Sequence, residues 1–223
     1  MVIKLNEVSI YLLCAIPLLL ITGPFLPDLS LSIISFLFVI SCIIQKDFSY
    51  FKNKYVIIFA ILYLYLIARS LLSINPLLSL ESSLFYFRFG VFCLAVLSLI
   101  NYSEKTLKYF FYSMTIIILI LAFDSIIQLC FGKNILGYLK PDHRLNSFFG
   151  KEHIMGSYLV RLLPLYLCLL IYFKKKFLNF ELIFLFIFGL FFLLIYASGE
   201  RTAFFLLIFF TFLFLLTEFG KDY

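Results

Sequence analysis

The sequence predicts an all-α, polytopic transmembrane bundle of about eight spans, with both termini cytoplasmic. One basis is composition: of 223 residues, 64% are hydrophobic and only 13% are charged. A soluble domain of that composition has too little polar surface to cover itself, so a bilayer must supply the solvent. The second basis is patterning. Apolar runs recur along the whole chain at 8–26, 29–44, 56–72, 84–100, 109–131, 154–173, 182–197 and 203–216. Each is near the roughly 20 residues that cross a hydrocarbon core about 30 Å thick. The third basis is the distribution of charge between the runs.

Taken in order, the connections alternate in character. The N-terminus with Lys4, the 45–54 loop with Lys46, Lys52 and Lys54, the 101–108 loop with Lys105 and Lys108, and Lys174–Lys176 form one set, joined by Lys221 if there are eight spans. That set holds ten of the thirteen lysines, so by the positive-inside rule it faces the cytoplasm. The other set comprises Pro27–Asp28, Asn75–Ser83, the long outer loop at about 132–153, and Ser198–Arg201. Residues 1–223 thus read as a single integral membrane domain. The first apolar run lacks a small-residue cleavage site after it and does not read as a signal peptide.

The net charge of +6 sits in short loops and does not imply nucleic acid. The five cysteines lie within apolar runs without CxxC spacing and read as packing residues, so no metal site follows. No cofactor is implied. The absence of a Walker loop, HExxH, GxSxG or an acidic pair at glycosidase spacing counts against hydrolase and nucleotide-driven pump readings.

The five arginines depart from the lysine pattern. Arg69, Arg88, Arg144, Arg161 and Arg201 all fall in or near the expected outer half of the membrane. An Arg inside a span normally faces a cavity or a partner, because burying it in lipid is unfavourable. Guanidinium grips phosphate or carboxylate in two places. The outward N-termini of the even-numbered spans add the positive end of the helix dipole. Arg201, Arg161, Arg144 and Arg88 are therefore candidates for an anionic, diphosphate-like ligand. Structural alternatives stand beside this: snorkelling of Arg69 and Arg88, pairing of Arg88 with Glu81, and pairing of Arg161 with Asp124. Asp124 and Gln128, one turn apart, form a polar face on the fifth span and read as an interior contact before a catalytic one. His143 and His153, both in the long loop, are either bases toward a hydroxyl or solvated loop residues. Glu200 is a further polar candidate beside Arg201.

Three segments resemble the O-antigen ligase and O-antigen polymerase group of bacterial membrane enzymes. They are Thr22-Gly-Pro-Phe-Leu-Pro-Asp28, then Arg144-Leu-Asn-Ser-Phe-Phe-Gly150 leading into Gly156-Ser-Tyr-Leu-Val-Arg161-Leu-Leu-Pro164, and Ser198-Gly-Glu-Arg-Thr-Ala203. The resemblance implies metal-independent transfer of a glycan from undecaprenyl diphosphate at the periplasmic face of the bacterial inner membrane. The acceptor would be a glycan or a lipid A-core, within lipopolysaccharide or surface-polysaccharide synthesis. Arg201 matches the family's motif arginine most closely, followed by Arg144 and Arg161, and by this resemblance they hold the departing diphosphate. Family members usually continue through further spans and a large periplasmic loop that carries the acceptor-activating His. His143 and His153 do not occupy that position, so the resemblance assigns them no catalytic role. This chain looks like the N-terminal portion of such an enzyme, with the catalytic residue unassigned. The competing classes are a small transporter or flippase for an anionic lipid or solute, and an inactive fragment. A transporter is expected to show internal repeats, and residues 1–110 and 111–223 show none.

Overall fold

The structure is a computed structural model that describes residues 2–140, 144–174 and 179–219. Nine α-helices account for most of these: α1 Val2–Leu19, α2 Phe25–Gln45, α3 Lys54–Leu71, α4 Pro76–Leu84, α5 Phe87–Tyr102, α6 Lys105–Phe131, α7 Met155–Tyr172, α8 Phe180–Ser198 and α9 Arg201–Phe219. Among the described residues there is no strand, only an isolated antiparallel bridge between Lys133 and Leu139.

Among the described residues seven helical stretches are long and apolar enough to cross a membrane, and the 201–214 stretch is apolar but shorter. The protein is therefore all-α and multi-pass. The first long run in the sequence is cut short: α1 ends at Leu19, and Gly23, at φ 116°, makes the turn into α2. Such a φ is readily adopted only by glycine. The stretch read as the Asn75–Ser83 connection is itself helical: α4 precedes α5 across a break at Phe85–Tyr86, within one 27-residue apolar stretch.

The chain divides into two compact units, Met1–Phe110 and Phe111–Tyr223. In the first, α1 and α5 pack on α2 around Ile10, Leu13, Ile34, Phe38, Leu94 and Leu99. The segment after α2 folds back on this core, with the Phe51 ring stacked on Phe38 at 5.9 Å. Helix α3 packs mainly against α4 and buries only Ser70.

In the second unit α7 is the central element and packs on both α8 and α9. Its buried side chains recur at Met155, Leu159, Leu163, Tyr166 and Leu170, the three-and-four spacing of one helix face. Tyr166 lies between the rings of Phe111, at 5.2 Å, and Phe191, at 5.7 Å, and its hydroxyl meets Thr115 Oγ1 at 3.0 Å. This packing fixes the depth and rotation of α7, and hence the position of its N-terminal end.

Candidate functional site: the loop and helix ends of the C-terminal unit

The segment after α6 is not a free loop. Asp124 and Gln128 share one face of α6 and are both 0% exposed. Asp124 Oδ1 accepts from Ile135 N at 2.9 Å, and Oδ2 accepts from Ser147 Oγ at 2.6 Å. Gln128 Oε1 accepts from the backbone N–H groups of Asn146 at 3.0 Å and Ser147 at 2.9 Å. Asn134 completes the clasp, donating from Nδ2 to Ser147 O at 2.9 Å and accepting from Tyr138 N at 2.7 Å. Ser147 is held on three sides at φ 47°, a conformation uncommon for residues with a side chain. Asp124 thus bonds to the loop and not to Arg161. The spacing of Asp124 and Gln128 is legible as a polar face, but its target, the loop backbone, is not.

Asn146 also orients a histidine. Its Nδ2 donates to Gly150 O at 3.1 Å, which turns Oδ1 toward His153 Nδ1 at 3.1 Å. A carbonyl oxygen only accepts, so this contact suits the tautomer with its proton on Nδ1. In the neutral ring Nε2 then carries the lone pair. His153 is exposed. His143 lies outside the described residues.

The second cluster joins the starts of α7 and α9. Glu200 directs its carboxylate across the first turn of α7, accepting from Gly156 N at 2.6 Å, Ser157 N at 3.1 Å and Ser157 Oγ at 2.5 Å. Those N–H groups were expected to be open to an external anion; the chain's own carboxylate takes them and offsets the helix dipole there. The approach is close. A Cβ on Gly156 would collide with Ser198 Oγ and lie 3.1 Å from Ala203 Cβ. Gly199, at φ 66°, makes the turn between α8 and α9, with the aliphatic part of Arg144 laid over it. Leu145 N donates to Ala197 O at 3.0 Å and ties the loop to the end of α8.

The adjacent segments 144–150 and 156–164 therefore meet the distant segment 198–203 in one unit. Among the described residues Arg144, Arg161 and Arg201 are exposed and form no ion pair. Arg161 lies one turn below Ser157 on the same side of α7. Arg201 opens α9, whose first turn carries no acidic side chain. It points away from the α7 contact, because Ala203 lies about 200° further around the helix at 3.6 residues per turn.

Arg88 belongs to the other unit and is already paired. Its Nη1 lies 2.8 Å from Asp28 Oδ2. Glu81, the expected partner, sits on α4 beyond the Phe85–Tyr86 break, whereas Asp28 is in the first turn of α2, which packs on α5. Arg69 is exposed in the last turn of α3. No group of three or more His, Cys, Asp or Glu that would suit a metal ion occurs among the described residues.

No family model, characterised protein or solved structure matches this chain. Fold and site together define its class: a multi-pass α-helical membrane protein whose C-terminal unit presents uncompensated arginines around two tied helix ends.

Proposed function

We propose that this protein takes part in transferring a glycan from undecaprenyl diphosphate at the periplasmic face of a bacterial inner membrane. This is O-antigen ligation or polymerisation, with a glycan or lipid A-core as acceptor. Arg144, Arg161 and Arg201 stabilise the charge of the departing diphosphate, a role that needs preorganised cations aimed at developing negative charge. The observation that carries the reading is the meeting of 144–150 and 156–164 with 198–203 while their arginines form no ion pair among the described residues. Glu200, the acidic side chain most able to quench Arg201, is occupied by α7. Arg88 is excluded from this role because Asp28 neutralises it.

Arg201→Ala, introduced into the gene in its own host, is expected to lower surface-glycan transfer about 100-fold or more, the usual scale for loss of one charge-stabilising donor. Electrophoresis of the surface glycan reads this out, with the membrane level of the protein checked in parallel. Undiminished transfer at normal protein level would falsify the assignment.

Orientation is tested separately. In a chain with its native cysteines replaced by serine, a membrane-impermeant maleimide added to spheroplasts is expected to label Lys140→Cys and to spare Lys174→Cys. The reverse pattern would place the arginine-bearing ends on the cytoplasmic side and remove the periplasmic reading.

A further inference from the structure

Beyond the end of α6 at Phe131 the chain folds back along the helix. Gly132, at φ 72°, starts the reversal. Lys140 N donates to Gly132 O at 2.8 Å and Asn134 N to Tyr138 O at 3.0 Å, which closes a short hairpin. Its tip is the β-turn Asn134–Gly137, where Gly137 N donates to Asn134 O at 3.0 Å. Asp124 sets the depth of this turn, because its carboxylate holds Ile135 N at 2.9 Å. Asp124 lies seven residues before the end of α6, about 10 Å along the axis at 1.5 Å per residue. The turn therefore lies beside α6 and not beyond it. Helix α7 begins at the same level, since Ser125 Oγ meets Met155 Sδ at 3.7 Å.

Two observations put lipid at this level. The first is the span itself. From Lys105 to Asp124, α6 rises about 30 Å, the thickness of one hydrocarbon core. Its surface stays apolar beyond that point, with Ile126, Leu129 and Phe131 exposed, so the lipid-facing band reaches past the turn. The second is the composition of the turn. Its corners are Ile135 and Leu136, 57% and 62% exposed, and Leu139 behind them is 77% exposed. Turn corners ordinarily carry Gly, Pro, Asn, Asp or Ser. Buried Asp124 and Asn134 already hold the hairpin, so these three aliphatic chains add nothing to the interior. Lys133 and Lys140 flank them and form no ion pair among the described residues. The Tyr138 ring lies over Gly150 and is half exposed, a placement that suits an aromatic at a membrane–water boundary.

We propose that the Asn134–Gly137 turn is a membrane-interface anchor. Ile135, Leu136 and Leu139 enter the acyl boundary of the leaflet beside α6, while Lys133 and Lys140 face its anionic head groups. Exposed hydrocarbon at the boundary with cations beside it is the chemistry by which interfacial segments hold an anionic leaflet. The inference is independent of the glycan-transfer reading. It bears on the same unit, however: Asn134 Nδ2 holds Ser147 O, so lipid contact at the turn fixes the height of the 144–150 segment above the membrane.

The chain contains no tryptophan, so Leu136→Trp introduces a single indole. The full chain is reconstituted in nanodiscs of phosphatidylcholine with phosphatidylglycerol. Emission is expected to be blue-shifted from that of tryptophan amide in buffer. Lipid brominated high on the acyl chain is expected to quench it more than lipid brominated near the methyl end. Aqueous iodide is expected to quench it far less than it quenches tryptophan amide. Leu139→Trp is expected to agree, and it carries the test if Leu136→Trp does not fold. Replacing Lys133 and Lys140 by Gln is expected to lower the ratio of inserted to water-exposed indole about fivefold per lysine in the anionic discs. In discs of phosphatidylcholine alone the same replacements are expected to have no effect. Iodide quenching as strong as that of tryptophan amide overturns the anchor. Protection from both iodide and brominated lipid also overturns it and assigns the turn to a protein partner. An equal response of the lysine variants in the two kinds of disc overturns the head-group contact.

Discussion

Asp124→Ala is expected to detach the 132–153 segment from α6 and to destabilise the C-terminal unit by about 3–5 kcal/mol. Two hydrogen bonds to the carboxylate are lost, each worth about 1.5–3 kcal/mol when a charged group takes part. The substitution also strands Ile135 N–H and Ser147 Oγ in a site sealed from solvent, where an unsatisfied donor is unfavourable. Ser147 then loses one of the contacts that hold it at φ 47°. The measurements are thermal unfolding in detergent and limited proteolysis. The melting temperature should fall, and cleavage between residues 132 and 153 should appear at protease levels that leave the parent intact. Asp124→Asn keeps one acceptor oxygen and should show roughly half the loss. A loop that stays protected in Asp124→Ala would mean that Gln128 and Asn134 suffice to hold it.

Glu200→Ala is the second large effect, expected at about 2–4 kcal/mol. It removes all three bonds that the carboxylate accepts from Gly156 and Ser157. It also restores an uncompensated positive end to α7, worth roughly 0.3–1 kcal/mol in itself. The total is smaller than a simple sum because Glu200 is only half-buried, and water can reach part of the vacated N–H groups. Glu200→Gln is diagnostic. Its amide offers one acceptor in place of two and no charge, so it should fall between the parent and Ala in melting temperature. If Glu200→Ala melts like the parent, the α7–α9 junction is held by apolar packing at Ala203 and not by the carboxylate. Both substitutions leave Arg144, Arg161 and Arg201 in place, so any loss of transfer they cause acts through positioning.

The fold class was legible because the bilayer imposes a strong rule. A backbone in hydrocarbon must satisfy its own hydrogen bonds, so long apolar runs become helices wherever they occur. The short α4 was less legible, since Asn75, Ser79, Glu81, Ser82 and Ser83 make its stretch read as a polar connection although it is helical. The candidate site was legible in kind but not in pairing. Asp124 and Gln128 stood out as polar residues one turn apart on an apolar helix, yet their partners are backbone groups of a loop, which have no sequence signature. Glu200 stood out only as a neighbour of Arg201. Asn134 and Asn146 passed unnoticed, although Asn134 followed by Gly137 is turn chemistry that could have flagged the first of them.

By itself the sequence determined that the chain is helical and multi-pass. It also determined that ten of the thirteen lysines and none of the five arginines fall in one set of alternate connections, and that a few polar side chains interrupt the apolar faces. Those properties follow from local composition and period. Tertiary structure alone decided which charges are spent and which are free. It paired Arg88 with Asp28, turned Glu200 into the cap of α7, and fixed Asp124 to the loop backbone. Among the described residues it left Arg144, Arg161 and Arg201 without an ion pair. The reason is geometric: a cap forms only within about 3 Å and an ion pair within about 4 Å, and contacts such as Glu200 to Gly156, 44 residues apart, are set by how whole helices pack.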